Sequence, residues 1–281
     1  MELIDILKTT SNLAGQANPL RDGDYTQNGL LYCGECHTPK QHRLGQEIAG
    51  QPLLVNCLCA CAYKRKKELE AIEQNEKKTR WIAKMREEGF TERRMMEWKF
   101  SSDDGKTPEL MKTARSYFEN FNRFKNEGKG LLLYGGVGSG KTFAAACICN
   151  ALVDKMVPCL ITNISRISNF SQSHYEDRQE YFDDLNRFDL LILDDLSAER
   201  RTEYQNEVVY NVIDSRNRAK LPLIVTTNLT ADELKRPTDK FEQRIYSRLF
   251  EMCQPFDCGN VDRRKAILKS DFEVYKKLLL D

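Results

Sequence analysis

The sequence lacks any apolar run approaching the length of a membrane span. It also lacks net charge of either sign. Lys and Arg number 43 against 42 Asp and Glu, a formal +1. No global field therefore argues for nucleic acid, and any such site must be local. There is no low-complexity tract and no internal repeat. The opening MELIDILKTTSNLAGQ puts acidic residues before apolar ones, which is not the order of a signal peptide. A cytoplasmic protein with no membrane partner is expected. In that compartment ten cysteines are not expected to pair as disulfides.

What is present is enough chain, 281 residues, for one large domain or two modest ones, and 41% hydrophobic residues to fill a core. Residues 135–142 read GGVGSGKT, which fits the phosphate-loop pattern G-x-x-x-x-G-K-[ST]. Gly130 to Tyr134 enters the loop as a short apolar strand, and Phe143 to Cys149 leaves it as an apolar helix start. Glycines let backbone amides turn around phosphate oxygens, and a helix N-terminus adds partial positive charge there. Gly136, Val137, Gly138, Ser139, Gly140, Lys141, Thr142 and Phe143 are the expected nucleotide contacts. Lys141 can reach the β- and γ-phosphates, and the Thr142 hydroxyl can ligate Mg²⁺.

The rest of the chain supports this context. Residues 64–88 contain no Gly or Pro and few apolar residues, so a helix that is polar nearly all round is expected, a solvated bridge. Its basic start, Lys64 to Lys67, reads as a solvated face rather than a nucleic-acid contact. From about residue 90 helices and strands alternate. Residues 108–126 read as one helix. Strands are expected at 130–134, 158–162, 189–193 and 222–227, with helices at 141–156, 165–186 and 203–218 between them. Residues 235–281 read as helical, with one more strand near 251–256. This is an α/β pattern: a parallel sheet flanked by helices on both faces.

The strand Leu190 to Leu193 delivers Asp194 and Asp195. Two acids after a strand can cap a helix, but a phosphate loop upstream makes Mg²⁺ ligation the better reading for Asp194. Asp195 is placed to orient the attacking water. Asn228 ends the next strand and can reach the γ-phosphate or the water. Arg244 and Arg248 lie four apart on one helical face, and Arg263, Arg264 and Lys265 follow.

In this order and spacing, GGVGSGKT, LLILDDL, IVTTN and RIYSRLFE resemble the AAA+ P-loop ATPases that load replicative helicases, the DnaC/DnaI type often encoded by phages and prophages. The resemblance covers about residues 90–270. Transposition ATPases of the IstB type share this core. By that likeness Thr227-Asn228 is a sensor 1 segment, and Arg248 is an arginine finger acting on a neighbouring subunit's ATP. Sensor 2 is Arg263 or Arg264; spacing from Gly259 favours Arg263, although the family's Gly-x-Ser-Tyr-Arg is absent. The acid pair is Asp-Asp, where many AAA+ proteins have Asp-Glu.

The remaining signal is a cysteine cluster. Cys33-Gly34-Glu35-Cys36 is a knuckle, and Cys57-Leu58-Cys59-Ala60-Cys61 follows about twenty residues on. Two thiolates from each would make a Cys₄ zinc site, and the resemblance supports zinc because such loaders often carry an N-terminal cysteine module. Cys33, Cys36, Cys59 and Cys61 are the expected ligands, with Cys57 the first substitute and His37 and His42 lesser candidates. The expected organisation is residues 1–62 as a zinc-binding, helicase-interacting module, 63–89 as a linker helix and 90–281 as the AAA+ ATPase domain. The resemblance implies a homo-oligomer with ATP, Mg²⁺ and Zn²⁺, a hexameric replicative helicase as partner, and single-stranded DNA. Two rival readings are a transposition ATPase of the IstB type, against which the zinc module argues, and a zinc-bearing adaptor that holds ATP as a structural ligand.

Overall fold

The computed structural model describes residues 18–48, 51–173, 178–196, 202–263, 276 and 279. Residues 1 to about 25 read in sequence as a short helix and a polar connector, and residues 1–17 lie outside the described chain. The described chain forms two compact units that divide between Thr79 and Arg80. Among the described residues no helix is long and apolar enough to cross a membrane.

The first unit is built from two antiparallel hairpins. β1 (Tyr25–Gln27) pairs with β2 (Leu30–Tyr32), and β3 (Gln41–Ile48) pairs with β4 (Gln51–Asn56). Its small core is Cys33, Cys59 and Ala62, with Cys36, Leu58 and Cys61 against it. Among the described residues so few apolar side chains bury little surface, and a core of that size gains much from a staple. The helix Ala60–Gly89 starts here. Leu69 and Ile72 on it are 67% and 56% exposed, consistent with a helix that is polar nearly all round.

The second unit is a five-stranded parallel sheet. β5 (Gly130–Tyr134), β6 (Cys159–Thr162), β7 (Leu190–Leu193), β8 (Leu223–Thr227) and β9 (Cys253–Asp257) stand in the order β6-β7-β8-β5-β9. β5 to β8 are mainly apolar and buried because both faces are covered, whereas the edge strand β9, CQPFD, exposes Gln254, Pro255 and Asp257. Leu131, Leu133, Leu190, Ile192 and Ile224 face a core shared with the helices Pro108–Glu119 and Lys141–Asp154. Leu132, Leu191, Leu193, Leu223 and Val225 face the opposite core, shared with the helices Ile164–Ser173, Glu203–Arg218 and Lys240–Met252. The period-2 alternation of a strand sends neighbours to opposite cores.

The expected strands stand within a residue of their sequence positions, and the edge strand expected near 251–256 is β9, which pairs with β5. One helix differs. Residues 108–126 carry two helices, Pro108–Glu119 and Phe121–Glu127, with Asn120 between them at φ −101° and ψ 17°. The Asn120 amide donates to Ser116 O at 2.9 Å, the local side-chain-to-backbone bond that competes with helical pairing. The span 165–186 carries two helical stretches, Ile164–Ser173 and Arg178–Asp184; residues 174–177 lie outside the described chain.

Candidate functional site

β5 ends at Tyr134, and the glycine loop turns into the helix Lys141–Asp154. Gly138 and Gly140 have φ of +80° and +92°, conformations that L side chains rarely adopt. Space closes both positions too. A Cβ on Gly138 would stand 2.1 Å from Asp262 Oδ1, and one on Gly140 2.8 Å from Arg263 Nη1. Lys141 is buried, and its Nζ donates to Gly135 O at 2.8 Å, Gly136 O at 2.7 Å and Ser139 Oγ at 3.3 Å. Neutral oxygens are weaker partners for an ammonium than phosphate oxygens, so an incoming phosphate can take the lysine over.

The two acids leave the end of β7 beside this loop. Asp194 Oδ1 accepts from Thr142 Oγ1 at 2.8 Å and from Thr226 Oγ1 at 2.7 Å. Burial pushes the Asp194 carboxyl above its usual range, and the two hydroxyls pull it back. Asp195 sits in the left-handed region at φ +56°. Its amide donates to Thr226 Oγ1 at 2.8 Å, and its Oδ1 accepts from Asn228 Nδ2 at 3.0 Å. The Thr142 hydroxyl and the Asp194 carboxylate form a pair of hard oxygen donors of the kind Mg²⁺ takes.

A cavity of about 650 Å³ opens over these groups. Its floor is Gly138 to Phe143, one wall holds Asp194, Asp195 and Asn228, and the other holds Met95, Trp98 and Asp104. That volume suits a nucleotide-sized ligand. Asn150 holds the second wall: its Nδ2 donates to Met95 O at 2.8 Å and Trp98 O at 2.9 Å from within the phosphate-loop helix. Arg263 lines the same cavity. Its guanidinium pairs with Asp104, donates to Thr107 Oγ1 at 3.3 Å and lies 5.7 Å from the Phe143 ring centre. Arg264 lies outside the described residues.

Arg248 is elsewhere. It does not line this cavity but a second cleft with Tyr210, Gln243, Arg244 and Ser247. Its Nη1 is 3.0 Å from Glu251 Oε2 and its Nη2 3.6 Å from Asp214 Oδ1. Arg244 stacks over the Tyr210 ring at 4.4 Å. The structure thus brings together Lys141, Thr142, Asp194, Asp195, Asn228 and Arg263, and leaves Arg248 apart from them.

In the first unit the sulfurs of Cys33, Cys36, Cys59 and Cys61 all lie within 4.8 Å of one another. Cys33 to Cys61 is 3.5 Å and Cys59 to Cys61 is 3.4 Å. These separations are far beyond a disulfide, about 2.05 Å, and near the ~3.8 Å edge of a tetrahedron with Zn–S bonds of about 2.3 Å. The donor set and its spacing are compatible with zinc. Cys57 stands outside the group, its thiol donating to Pro39 O at 3.4 Å. His37 is also outside, its Nδ1 3.4 Å from Tyr25 Oη, as is His42.

The knuckle is built by close backbone approach. A Cβ on Gly34 would stand 2.2 Å from Gly23 O. Gly34 N donates to Asp24 Oδ1 at 3.0 Å, and Lys40 Nζ lies 2.7 Å from Asp24 Oδ2 with both side chains almost fully buried. The Lys40 ammonium, with two backbone amides, holds the Asp24 carboxyl down to about 2. Arg65 Nη2 donates to Cys61 Sγ at 3.3 Å, a cation that offsets thiolate charge. Sequence reasoning missed Asp24, Lys40, Arg65, Asn150 and Thr226. Only Thr226 carried a signal: it is two residues before Asn228.

Residues 131–249 match the family described as ATPase family associated with various cellular activities (AAA). By sequence the chain is 30% identical over 129 residues to the replicative helicase loader DnaI of Bacillus subtilis (strain 168), covering 45% of this chain and 41% of that protein. It is 25% identical over 140 residues to the replicative helicase loader DnaC of Escherichia coli (strain K12), covering 48% of this chain and 55% of that one. The matched stretch is thus about half the length of these relatives. In fold, a crystal structure of DnaI aligns with a TM-score of 0.50 and 24% identity over 60% of this chain and 95% of that chain. A crystal structure of the DnaC helicase loader aligns with a TM-score of 0.50 and 22% identity over 59% and 99%. The phosphate loop, the acid pair and Asn228 all fall at strand ends in this shared sheet. The chain therefore carries an AAA-family domain, homologous to the corresponding domain of the DnaI and DnaC helicase loaders.

Proposed function

We propose that this protein is an ATP-dependent loader that places a hexameric replicative helicase on single-stranded DNA during the initiation of replication. The observation that carries the reading is an AAA domain akin to those of two helicase loaders, joined to a separate unit built around four thiols. In this reading residues 1–62 are the zinc-bearing module that grips the helicase, 63–89 the linker helix, and 90–281 the ATPase.

Within the ATPase, Lys141 and the loop amides hold the β- and γ-phosphates. Thr142 and Asp194 are the ligands for Mg²⁺, which when bound neutralises phosphate charge. Asp195, fixed by Asn228, orients the attacking water and takes its proton. The water oxygen bonds to the γ-phosphorus, the bond to the β–γ bridging oxygen breaks, and ADP and phosphate leave. Arg263 meets the γ-phosphate from the far wall of the cavity. Arg248, outside its own chain's cavity, completes the site of a neighbouring subunit. Its guanidinium is held by Asp214 and Glu251, so it is oriented before assembly.

The test is size-exclusion chromatography with light scattering on this protein, ATP and the candidate replicative helicase together. A co-eluting, ATP-dependent assembly with homo-oligomeric loader is expected. Elution as two separate species with and without ATP, for both host and phage helicases, would remove the loader reading.

A further inference from the structure

Asp194 and Asp195 do not set their own geometry. Asp194 sits at the mouth of a buried sheet, and Asp195 is a non-glycine residue at φ +56°. A β-carbon in that region needs outside support. Both acids lean on one hydroxyl, that of Thr226 in β8. Thr226 is 1% exposed. Its Oγ1 donates to Asp194 Oδ1 at 2.7 Å and accepts from Asp195 N at 2.8 Å.

These two bonds fix each other's direction. A hydroxyl has one proton and two lone pairs. The amide of Asp195 can only donate, so it takes a lone pair and the Thr226 proton is left for Asp194. The Thr142 hydroxyl donates to the same carboxylate oxygen, Oδ1. Asp194 is therefore clamped through one oxygen by two hydroxyls, which leaves Oδ2 for a ligand in the cavity that Asp194 lines. Asn228 directly follows the end of β8, and its amide holds Asp195 Oδ1. One strand thus determines the aim of both acids on the neighbouring strand.

We infer that Thr226 is a positioning residue for the Mg²⁺-nucleotide site: its hydroxyl aims Asp194 at the metal and holds the Asp195 backbone in its left-handed turn. This rests on reading the cavity as an Mg²⁺-nucleotide site. Thr226 borders the cavity, but it is almost fully buried and its hydroxyl is engaged by the two acids. Its effect is transmitted through the two acids, so it acts on metal affinity and turnover and not on the metal-independent grip of the phosphate loop.

Thr226→Val and Thr226→Ser separate the hydroxyl from the rest of the side chain. Valine keeps the branched shape that a buried strand favours and loses the hydroxyl. Serine keeps the hydroxyl and loses the methyl. Each full-length protein is titrated with a fluorescent, non-hydrolysable ATP analogue in EDTA, and then with Mg²⁺ at fixed analogue. In EDTA all three proteins should bind alike. Thr226→Val should need at least about tenfold more Mg²⁺ than the parent, the usual cost of losing a partner of a metal ligand. Thr226→Ser should titrate like the parent. Under saturating Mg²⁺ the valine variant should lose kcat with little change in KM.

A valine variant that takes up Mg²⁺ like the parent would overturn the inference about Thr226 alone. So would serine and valine variants that fall together, because the hydroxyl would then not be the cause. A parent whose analogue binding gains nothing from Mg²⁺ would overturn both the inference and the site reading beneath it. Absence of turnover in the parent would instead remove hydrolysis from the proposed function and leave the Mg²⁺ titration to decide Thr226.

Discussion

Asn228 Nδ2 lies 3.0 Å from Asp195 Oδ1, joining the ends of two adjacent parallel strands. The amide leaves the other carboxylate oxygen for water. It makes the two residues one device, in which an acid at the end of β7 is aimed from the end of β8.

Asp195→Asn should therefore bind ATP normally and lose hydrolysis by about a hundredfold or more, the usual worth of a positioned base. Lys141→Ala should instead weaken ATP binding about tenfold or more, since it removes a charge-assisted contact to the phosphates. Equilibrium binding of a fluorescent nucleotide together with phosphate release separates the two effects. Unchanged affinity in Lys141→Ala would show that the loop does not hold phosphate.

Arg248→Ala should bind ATP like the parent and hydrolyse it poorly, because Arg248 lies away from its own chain's cavity. Mixed with Lys141→Ala, it should regain part of its turnover. The Arg248→Ala subunit keeps an intact phosphate loop, and the Lys141→Ala subunit supplies an intact arginine. Co-assembly with no recovery would return Arg248 to an ion pair with Glu251 and Asp214.

Elemental analysis should find one zinc per chain. Cys61→Ser should lose the metal, since Cys61 lies within 3.5 Å of two other sulfurs, and Cys57→Ser should keep it. The Asp24–Lys40 pair should act on retention. Asp24→Asn should release zinc to a chelator several-fold faster at neutral pH. The sign in acid follows from the depressed carboxyl. The Asp24 contribution is complete above the ordinary aspartate pKa, about 3.9, and is lost only as pH falls through about 2. Zinc lost above about pH 4 on acidification is therefore lost by thiolate protonation. Because Asp24→Asn removes that contribution equally at every pH above about 4, the midpoint of that release should move upward in the variant while the shape of the curve stays that of thiolate protonation.

Much of the fold was legible because a sheet covered on both sides demands short, mainly apolar strands, and LLLY, LLIL and the LIV of LIVTT meet that demand. The phosphate loop and the acid pair were legible because their chemistry fixes residue type and spacing. The break at Asn120 was not, since the apolar stripe runs through it; there the backbone N–H and the side-chain amide of Asn120 both donate to Ser116 O at the end of the first helix. The spare cysteine was undecided in C-x-C-x-C because the choice depends on where the hairpin β3–β4 sets residue 57, whose amide donates to Lys40 O. Arg216 left no trace either. In NVIDSRNRAK it reads as one more polar residue of a helix end, yet it is fully buried.

Arg216 donates to Phe188 O and Pro222 O at 2.7 Å each, and to Leu185 O and Asp189 O at 3.3 Å. It thus ties together the loops that feed β7 and β8. Burial brings its guanidinium down to about 10, so it stays charged at neutral pH. Arg216→Leu should take the charged donor from these carbonyls, of which Leu185 O keeps a bond from Phe188 N; at about 1–3 kcal/mol for each one left without a partner, the loss should be about 3 kcal/mol or more. The thermal midpoint of the second unit should fall by about 6 °C or more. Arg216→Lys should recover only part, because a point ammonium cannot fork between carbonyls. An unchanged midpoint in Arg216→Leu would show that these carbonyls need no partner.

The chain that follows β9 lies along the phosphate loop. Gly136 N donates to Gly259 O at 2.9 Å, and Arg263 N donates to Gly138 O at 3.1 Å. Asn260 stands over Gly136, Asp262 over Gly138 and Arg263 over Gly140. The loop is therefore read twice, from inside by whatever anion it holds and from outside by residues 259–263. A loop splinted in this way cannot change shape alone. When it reshapes around a phosphate, Asn260, Asp262 and Arg263 must either lose their seats or travel with it, so the strand that ends at Asp257 is coupled to what the loop holds.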